Sequence, residues 1–454
     1  MEINKNVFRE YDIRGVYPSE INEELAYIVG RSYGSYLQEK YNINTCVVGH
    51  DNRLSSDSLT EELKRGIKES GCNIIYYGLI TTPMHYFSRK ITNYPGIIVT
   101  ASHNPKDDNG FKFSFDLDAN ARGEMIKDFT KYTFEGNFLS GNGTEESRNI
   151  VPDYLKWLKE NTYMGSRKIK AVFDPGNGTT AVIIKKVVEM FDNIEPIYIC
   201  SESDGTFPNH HPDPAVEENM SMLKQAVLDN QADLGIGYDG DGDRIGVIDE
   251  KGNWIATDKF MIMIIRNIIN SAKCKRFLYD VKCSKALEDE IIKLGGEPYC
   301  YRTGASFTEY GTVSENLDFG GEYSGHVFFN DRGLEFGSAI YASLRLIEIL
   351  SNNNLTTSQL LDGINIYIST PEIKVKTTDE KKFEIVEKVK EYCVSKNYNI
   401  LTIDGVRVTF DDGWGLVRAS NTGPNLTIRF EAINDDALNR IQEEFMSLVN
   451  EYNR

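Results

Sequence analysis

Apolar residues recur along this chain in two periods, and three stretches repeat one succession of them. Thr45 to Gly49 is a short apolar run that reads as a strand. A polar loop, His50-Asp51-Asn52-Arg53, follows it. Leu59, Leu63 and Ile67 then fall at helical spacing within Ser55 to Glu69. Ala171 to Asp174 leads through Pro175-Gly176-Asn177-Gly178-Thr179-Thr180 to an apolar stretch, Ala181 to Phe191, that is expected to be helical. Phe277 to Asp280 leads through Val281-Lys282-Cys283-Ser284 to an expected helix over Lys285 to Leu294. Each copy reads strand, acidic residue, Ser/Thr cap, helix. The copies lie roughly a hundred residues apart, too far for a short-period solenoid.

The repetition predicts an α/β chain with three related α/β domains, mixed sheets and a central cleft. From about Pro371 the pattern changes. Glu372 to Lys376 reads as a strand, Glu380 to Tyr392 as a helix and Leu401 to Phe410 as a hairpin around Asp404-Gly405. Leu416 to Ala419 and Leu426 to Ala432 alternate as strands, and Ala437 to Val449 closes as an amphipathic helix. This part is expected to be an α+β domain with an antiparallel sheet. A chain of 454 residues exceeds one ordinary core. The expected divisions are 1–150, 151–253, 254–367 and 368–454. Phe8 to Gly15 shows neither period and reads as a solvated loop.

Each of the three copies then reaches a second, chemically rich loop. In the first, the apolar run Ile97 to Val99 ends in Thr100-Ala101-Ser102-His103-Asn104-Pro105. Ser102 stands at the tip of a strand, a favourable place for a nucleophile. His103 and Lys112 supply titratable groups, and Asn109-Gly110 is expected to form a turn that folds Lys112 back. The loop has no Gly-x-Ser-x-Gly elbow, which argues against acyl transfer. In the second, Asp239, Asp241 and Asp243 alternate with Gly240 and Gly242 before Arg244. Glycine permits a tight turn on which alternate carboxylates converge, and hard oxygen donors suit Mg²⁺ or Ca²⁺. An EF-hand is the competing pattern, with Glu250 in twelfth place. Arg244 fills the sixth place, where that loop needs glycine, and the flanks alternate as strands. The third loop is Gly321-Glu322-Tyr323-Ser324-Gly325-His326, in which Glu322 and Ser324 can hold vicinal hydroxyls. Three such loops at equivalent strand ends would build one shared site.

Charge narrows the partners. The formal net charge is −18, which argues against general affinity for nucleic acid or an anionic membrane. A phosphorylated ligand would therefore need a local basic pocket. Arg418, Ser420, Asn421 and Thr422 offer a guanidinium, hydroxyls, an amide and successive N–H groups suited to a phosphate dianion. No apolar run approaches the ~18 residues of a membrane span; Phe260 to Ile269 is short and holds Arg266. Met1 precedes polar residues with no apolar leader segment. The seven cysteines (46, 72, 200, 274, 283, 300 and 393) include no Cys-x-x-Cys and read as free thiols of a reducing compartment. A cytoplasmic enzyme is expected, monomeric or homodimeric.

Together these strings resemble the α-D-phosphohexomutase family over about residues 7 to 435. Thr-Ala-Ser-His-Asn-Pro resembles its phosphoserine loop, Asp-Gly-Asp-Gly-Asp-Arg its Mg²⁺ loop, Gly-Glu-Tyr-Ser-Gly-His its sugar loop and Arg418 to Thr422 its phosphate loop. Phe8 to Gly15 is similar to a string lining the family's cleft, with Tyr11 and Arg14 on the substrate side, and Phe207 to Pro214 is also family-like. The resemblance implies interconversion of hexose 1-phosphate and hexose 6-phosphate, of mannose and/or glucose, through a phosphoserine and a hexose 1,6-bisphosphate that also serves as activator. It implies that Asp239, Asp241, Asp243 and Ser102 hold one Mg²⁺. It assigns catalysis to Ser102, His103, Lys112 and His326, with Lys112 expected to have a depressed pKa. Substrate contacts fall to Tyr11, Arg14, Arg244, Lys282, Arg302, Thr303, Gly304, Glu322, Ser324, Arg418, Ser420, Asn421 and Thr422. The alternatives are a phosphoglucosamine mutase or a metal-dependent phosphatase with a covalent phosphoserine. Two departures stand out. Arg302-Thr303-Gly304-Ala305 replaces the Lys-Thr-Gly-His common in close relatives, and Tyr323 occupies the variable position of the sugar loop.

Overall fold

The computed structural model describes residues 4–117, 119–421 and 423–454. The first unit contains β1 (Ile13–Val16), α1 (Glu23–Tyr41), β2 (Thr45–His50), α2 (Ser56–Glu69), β3 (Asn73–Leu79), α3 (Thr82–Thr92), β4 (Gly96–Val99), β5 (Asp108–Phe113), α4 (Glu124–Glu135) and β6 (Glu145–Ser147). The second contains α5 (Val151–Glu160), β7 (Ile169–Asp174), α6 (Ile184–Val188), β8 (Ile194–Tyr198), α7 (Ser221–Asn230), β9 (Leu234–Tyr238), β10 (Ile245–Asp249) and β11 (Trp254–Ile255). The third contains α8 (Thr257–Ile268), β12 (Arg276–Asp280), α9 (Lys285–Lys293), β13 (Glu297–Tyr301), α10 (Ala305–Ser314), β14 (Phe319–Gly321), β15 (Val327–Phe329) and α11 (Ala339–Ser351). The last contains β16 (Ile368–Ser369), β17 (Ile373–Lys376), α12 (Lys381–Ser395), β18 (Asn399–Leu401), β19 (Val406–Phe410), β20 (Gly413–Ala419), β21 (Asn425–Ala432) and α13 (Asp435–Tyr452).

The first three sheets share a plan. Their orders are β1-β5-β4-β2-β3-β6, β11-β10-β9-β7-β8 and β13-β12-β14-β15. In each, parallel strands end in one that turns back antiparallel: β4 into β5, β9 into β10 and β14 into β15. The three loops rich in polar chemistry are the connections of these hairpins. The fourth sheet is antiparallel throughout its pairings. One apolar cluster, drawn from Val47 to Leu360 in sequence, joins the first three units, while the last has its own core around Val406, Leu426, Ile441 and Phe445. A shared core fixes the three hairpin loops relative to one another. No helix among the described residues is long and apolar enough to cross a membrane.

Three expectations are corrected. Residues 13–16 form a strand paired with β5 rather than a solvated loop; Arg14 is buried within it and Asp12 just before it. Asn109 and Gly110 lie inside β5, and the reversal falls earlier, between Thr100 and Asp107. Gly110 instead lets β1 approach, since a Cβ there would sit 2.1 Å from the Ile13 carbonyl oxygen. The helix expected over Ala181 to Phe191 is reduced to a 3₁₀ turn and the five-residue α6. The β-branched run Val182-Ile183-Ile184 lowers helix propensity at the start, and Ile183 leaves the helical region there.

Candidate active site

Ser102 adopts φ 53°, a left-handed conformation that a serine adopts at a cost. The loop over-determines it. The Ser102 N–H donates to Thr100 Oγ1 at 2.9 Å, and its carbonyl accepts from Arg53 Nη2 at 2.7 Å. Arg53 also donates to the carbonyls of Asn104, Pro105 and Asp108 at 2.7, 2.5 and 2.9 Å. Its charge faces Asp51 at 3.3 Å, and its side chain is fully buried. Arg14 braces the other side, donating to the Ala101 carbonyl, to Asn104 Oδ1 and to Asp12. The result aims the buried Ser102 hydroxyl across the unit boundary, where it donates to Asp239 Oδ2 at 2.7 Å. His103 Nδ1 lies 3.4 Å from the same hydroxyl. Burial, with the nearby Arg244 and Arg14 charges, holds the His103 imidazole well below the usual histidine range.

Asp239, Asp241 and Asp243 are all buried, and one oxygen from each lies within 4.8 Å of the others. The β9–β10 turn assembles them: Asp239 Oδ1 accepts the N–H groups of Gly242, Asp243 and Arg244. Burial and the two neighbouring carboxylates push the Asp239 carboxyl well up. Lys112 Nζ offsets part of the repulsion, donating to Asp241 and Asp243 at 2.7 Å each. Burial alone would lower the Lys112 pKa, but these two carboxylates outweigh it and hold it well above the lysine value. The depressed lysine expected beside Mg²⁺ and arginine is a statement about the metal-bound site; here the amine nests between two carboxylates that outweigh the nearby Arg14 charge. Asp241 Oδ1 is buried without a hydrogen-bond partner among the described residues. A bare buried carboxylate oxygen facing two others fits a hard divalent cation. Thr82, which donates to Asp241 Oδ2 at 2.6 Å, completes the second rank. Glu250 is engaged elsewhere, with Ser358.

The third loop meets the second edge to edge. Arg244 and His326 form an isolated antiparallel bridge, and Arg244 Nε lies 3.3 Å from His326 Nε2. His326 spans two carboxylates, with Nδ1 3.0 Å from Glu322 and Nε2 3.2 Å from Asp243. Burial opposes its charge, yet these anions raise its pKa above the ordinary histidine value. Burial also opposes the Glu322 charge, but His326 and Lys282 bring that carboxyl down to about 2. Glu322 Oε1 accepts the Gly304 N–H at 2.5 Å, and Oε2 accepts from Ser324 Oγ at 3.1 Å. Gly304 sits at φ 137°, a conformation open to glycine, and starts α10.

These groups line a cleft of about 750 Å³. Tyr11, His103, Arg244, Lys282, Thr303, Gly304, Ala305, Glu322, Ser324, His326, Arg418, Ser420 and Asn421 all face it. All four units therefore contribute. A recess of about 30 Å³ holds Ser102, Lys112, Asp243 and Arg14, and shares Tyr11, His103, Arg244, Ala305 and His326 with the cleft. Lys282 donates to Glu372 at 2.7 Å. Arg418 donates through Nε to Asp404 at 2.9 Å, while its Nη2 is buried without a hydrogen-bond partner among the described residues. An unanswered guanidinium donor at the cleft suits an anion. Thr303 is held by Asp404 and Asp280, and Asn421 donates to its carbonyl. Arg302 is placed differently from its neighbours. Its guanidinium stacks on Phe307 at 3.8 Å and reaches Glu10 at 3.5 Å. Thr422 lies outside the described residues. Sequence reading passed over Arg53, Thr82 and Asp404. Arg53 carried one local signal, a charge immediately before a helix start; the carbonyls it holds lie some fifty residues away in sequence.

Known proteins share this fold. The family described as Phosphoglucomutase/phosphomannomutase, alpha/beta/alpha domain I, matches residues 5–139; domain II matches 152–252, domain III 256–367 and the C-terminal domain 372–448. A phosphomannomutase/phosphoglucomutase of Pseudomonas syringae pv. tomato is 39% identical over 442 residues, covering 97% of this chain and 94% of that protein. A phosphoglucomutase of Neisseria gonorrhoeae is 35% identical over 452 residues, covering 98% of this chain and 97% of its own length. Among solved structures, a phosphoglucomutase/phosphomannomutase family protein from Burkholderia thailandensis aligns with TM-score 0.91 at 32% identity, covering 99% of this chain and 98% of that one.

Proposed function

The chain belongs to the phosphoglucomutase/phosphomannomutase family and isomerises hexose phosphates, and from that premise we propose that Ser102 carries the phosphoryl group that is moved. A hexose 1-phosphate places its phosphate against Arg418, Ser420, Asn421 and Thr422, with Lys282, Thr303 and Gly304 beside them. Glu322 and Ser324 hold its hydroxyls. The free O6 attacks the phosphoserine in line: the O6–P bond forms as the Ser102 Oγ–P bond breaks. The hexose 1,6-bisphosphate then turns over within the cleft and returns its O1 phosphoryl group to Ser102, so added bisphosphate acts as an activator. Arg244, Arg14 and Tyr11 surround the moving group, and His103 stands beside the serine oxygen. Lys112 and His326 hold the protons to be exchanged with the attacking and departing oxygens. Asp239, Asp241, Asp243 and the serine oxygen would hold one Mg²⁺, which supplies charge neutralisation at the phosphoryl oxygens when bound.

The 2.7 Å bond from Ser102 to Asp239 carries this reading. It places the hydroxyl against the carboxylate cage, in a recess that opens into a cleft large enough for a sugar phosphate. The four units are 1–150, 151–253, 254–367 and 368–454. The last closes as a lid hinged near residues 367–371 and pivots on the third, to which Arg407 and Arg429 tie it through the carbonyls of Val281 and Lys282. Glucose and mannose phosphates are the substrates. The test compares turnover of glucose 1-phosphate, mannose 1-phosphate and glucosamine 1-phosphate with release of inorganic phosphate. Isomerised glucose or mannose phosphate with little free phosphate is expected. Faster turnover of glucosamine phosphate, or stoichiometric phosphate release, would overturn the assignment.

A further inference from the structure

A second cluster of ligating side chains lies in the second unit, outside the machinery above. Asp174 ends β7, Cys200 follows β8, and His210 stands between Phe207 and Pro214. One ligating atom from each of the three lies within 4.8 Å of the others. Asp174 is buried, and its Oδ2 lies 3.0 Å from His210 Nε2. Its Oδ1 accepts the Gly176 N–H at 2.9 Å, which fixes the carboxylate plane. His210 Nδ1 lies 3.0 Å from the His211 carbonyl oxygen. A carbonyl can only accept, so Nδ1 donates, and Nε2 shares its proton with Asp174; a cation that displaces that proton meets the Nε2 lone pair. The Nδ1 bond is the outer bond by which metal-binding histidines are oriented.

A Cys–His–Asp nucleophilic relay does not fit. It needs the carboxylate on one ring nitrogen and the thiol on the other. Here a main-chain carbonyl holds Nδ1, and Asp174 holds Nε2. The backbone is also set for the cluster. Cys200 adopts φ 44°, and its carbonyl accepts the Asn177 N–H at 2.9 Å, closing the loop that follows Asp174 onto the one that follows β8.

We propose that Asp174, Cys200 and His210 form a second metal site, for a borderline transition-metal cation such as Zn²⁺. One thiolate, one imidazole and one carboxylate are a donor set that such a cation accepts and that Mg²⁺ does not select. A water completes the tetrahedron. Binding replaces the thiol proton and the proton shared by His210 and Asp174, and both leave to solvent. A cation there would pin the segment from Cys200 to Asp213 against β7. That segment reaches the active site at two points. The Phe207 ring lies 5.3 Å from the Arg53 guanidinium, and Asp213 Oδ1 lies 4.0 Å from Arg244 Nη1.

The test is Co²⁺ titration of the full-length, chelator-treated protein, followed by absorption. About one equivalent should give a near-ultraviolet thiolate-to-cobalt band, with visible bands of tetrahedral cobalt. Zn²⁺ should displace the band. Cys200→Ser should abolish it. His210→Asn should weaken cobalt binding by more than the roughly 10–100-fold typical of losing an outer-shell partner. Asp241→Asn should leave the band in place, because the carboxylate cage has no sulfur. Circular dichroism checks that each variant folds. Absence of a thiolate band in the wild-type protein, or a band that survives Cys200→Ser, overturns the proposal and leaves a hydrogen-bonded Asp–His pair.

Discussion

Replacing Arg53 with methionine isolates the force that holds Ser102 in place. The guanidinium answers four main-chain carbonyls, of Ser102, Asn104, Pro105 and Asp108, and faces Asp51 at 3.3 Å. Methionine fills much of the volume and donates nothing. A buried acceptor left without a donor costs about 1–3 kcal/mol, and breaking a buried charge pair about 3–5 kcal/mol. Loop relaxation and entering water recover part of this, so the net loss is about 3–5 kcal/mol. A loss of that size lowers the melting temperature of the body formed by the first three units by roughly 5 °C. Arg53 does not line the cleft, so sugar-phosphate binding should persist. The serine should drift by about an ångström, and displacements of that size cost about 100-fold in rate. The assay pairs thermal melting with steady-state kinetics on glucose 1-phosphate. A large fall in kcat with KM nearly unchanged is expected, and Arg53→Lys should recover part of it. A variant that melts lower yet keeps kcat within about twofold of wild type would refute the positioning argument.

Other outcomes follow from the same geometry. Asp241→Asn removes the orphaned oxygen Oδ1 as a charged ligand and should abolish the response of the mutase rate to added Mg²⁺, as read by metal titration of the chelated enzyme. Burial raises the Glu372 carboxyl, but the charge and hydrogen bond of Lys282 dominate and bring it from 4.5 to about 2. Its stabilisation is therefore fully present above pH 4.5 and lost as pH falls through about 2. Glu372→Gln should lower the melting temperature at pH 7 and flatten its dependence on pH across that acid window. Ala305 borders both the cleft and the serine recess. Ala305→His should lower KM for the sugar phosphate several-fold, by about 1 kcal/mol of added hydrogen bonding. An unchanged KM would mean that position 305 does not meet the substrate.

Much of this fold is written in short-range pattern. The strands β9 and β10 run over Leu234–Tyr238 and Ile245–Asp249, the two stretches that alternation marks on either side of the aspartates. The C-terminal hairpin forms around Asp404-Gly405, with Leu401 opposite Arg407. The misses share a cause. β1 is four residues long, and its buried positions include Arg14, with buried Asp12 just before it, so no apolar alternation announces it. α6 is short because β-branched residues crowd its start. The charge on Lys112 depends on Asp241 and Asp243, which lie far along the chain and arrive only when two units pack. Arg53 is the same case, a polar loop residue whose role exists only once the Ser102 loop lies over it. Composition and local period carry elements; they do not carry partners brought together by tertiary contact.

The account turns on whether the Ser102 hydroxyl takes up and gives back phosphate. The direct measurement is rapid-quench labelling with hexose 1,6-bisphosphate bearing radioactive phosphate, followed by peptide mapping. One acid-stable label per chain on the peptide holding Ser102, discharged by hexose 1-phosphate at the rate of turnover and absent from a folded Ser102→Ala variant that no longer turns over, is the predicted result. Label on another residue, or a Ser102→Ala variant that isomerises sugar phosphate at near wild-type rate, would contradict it.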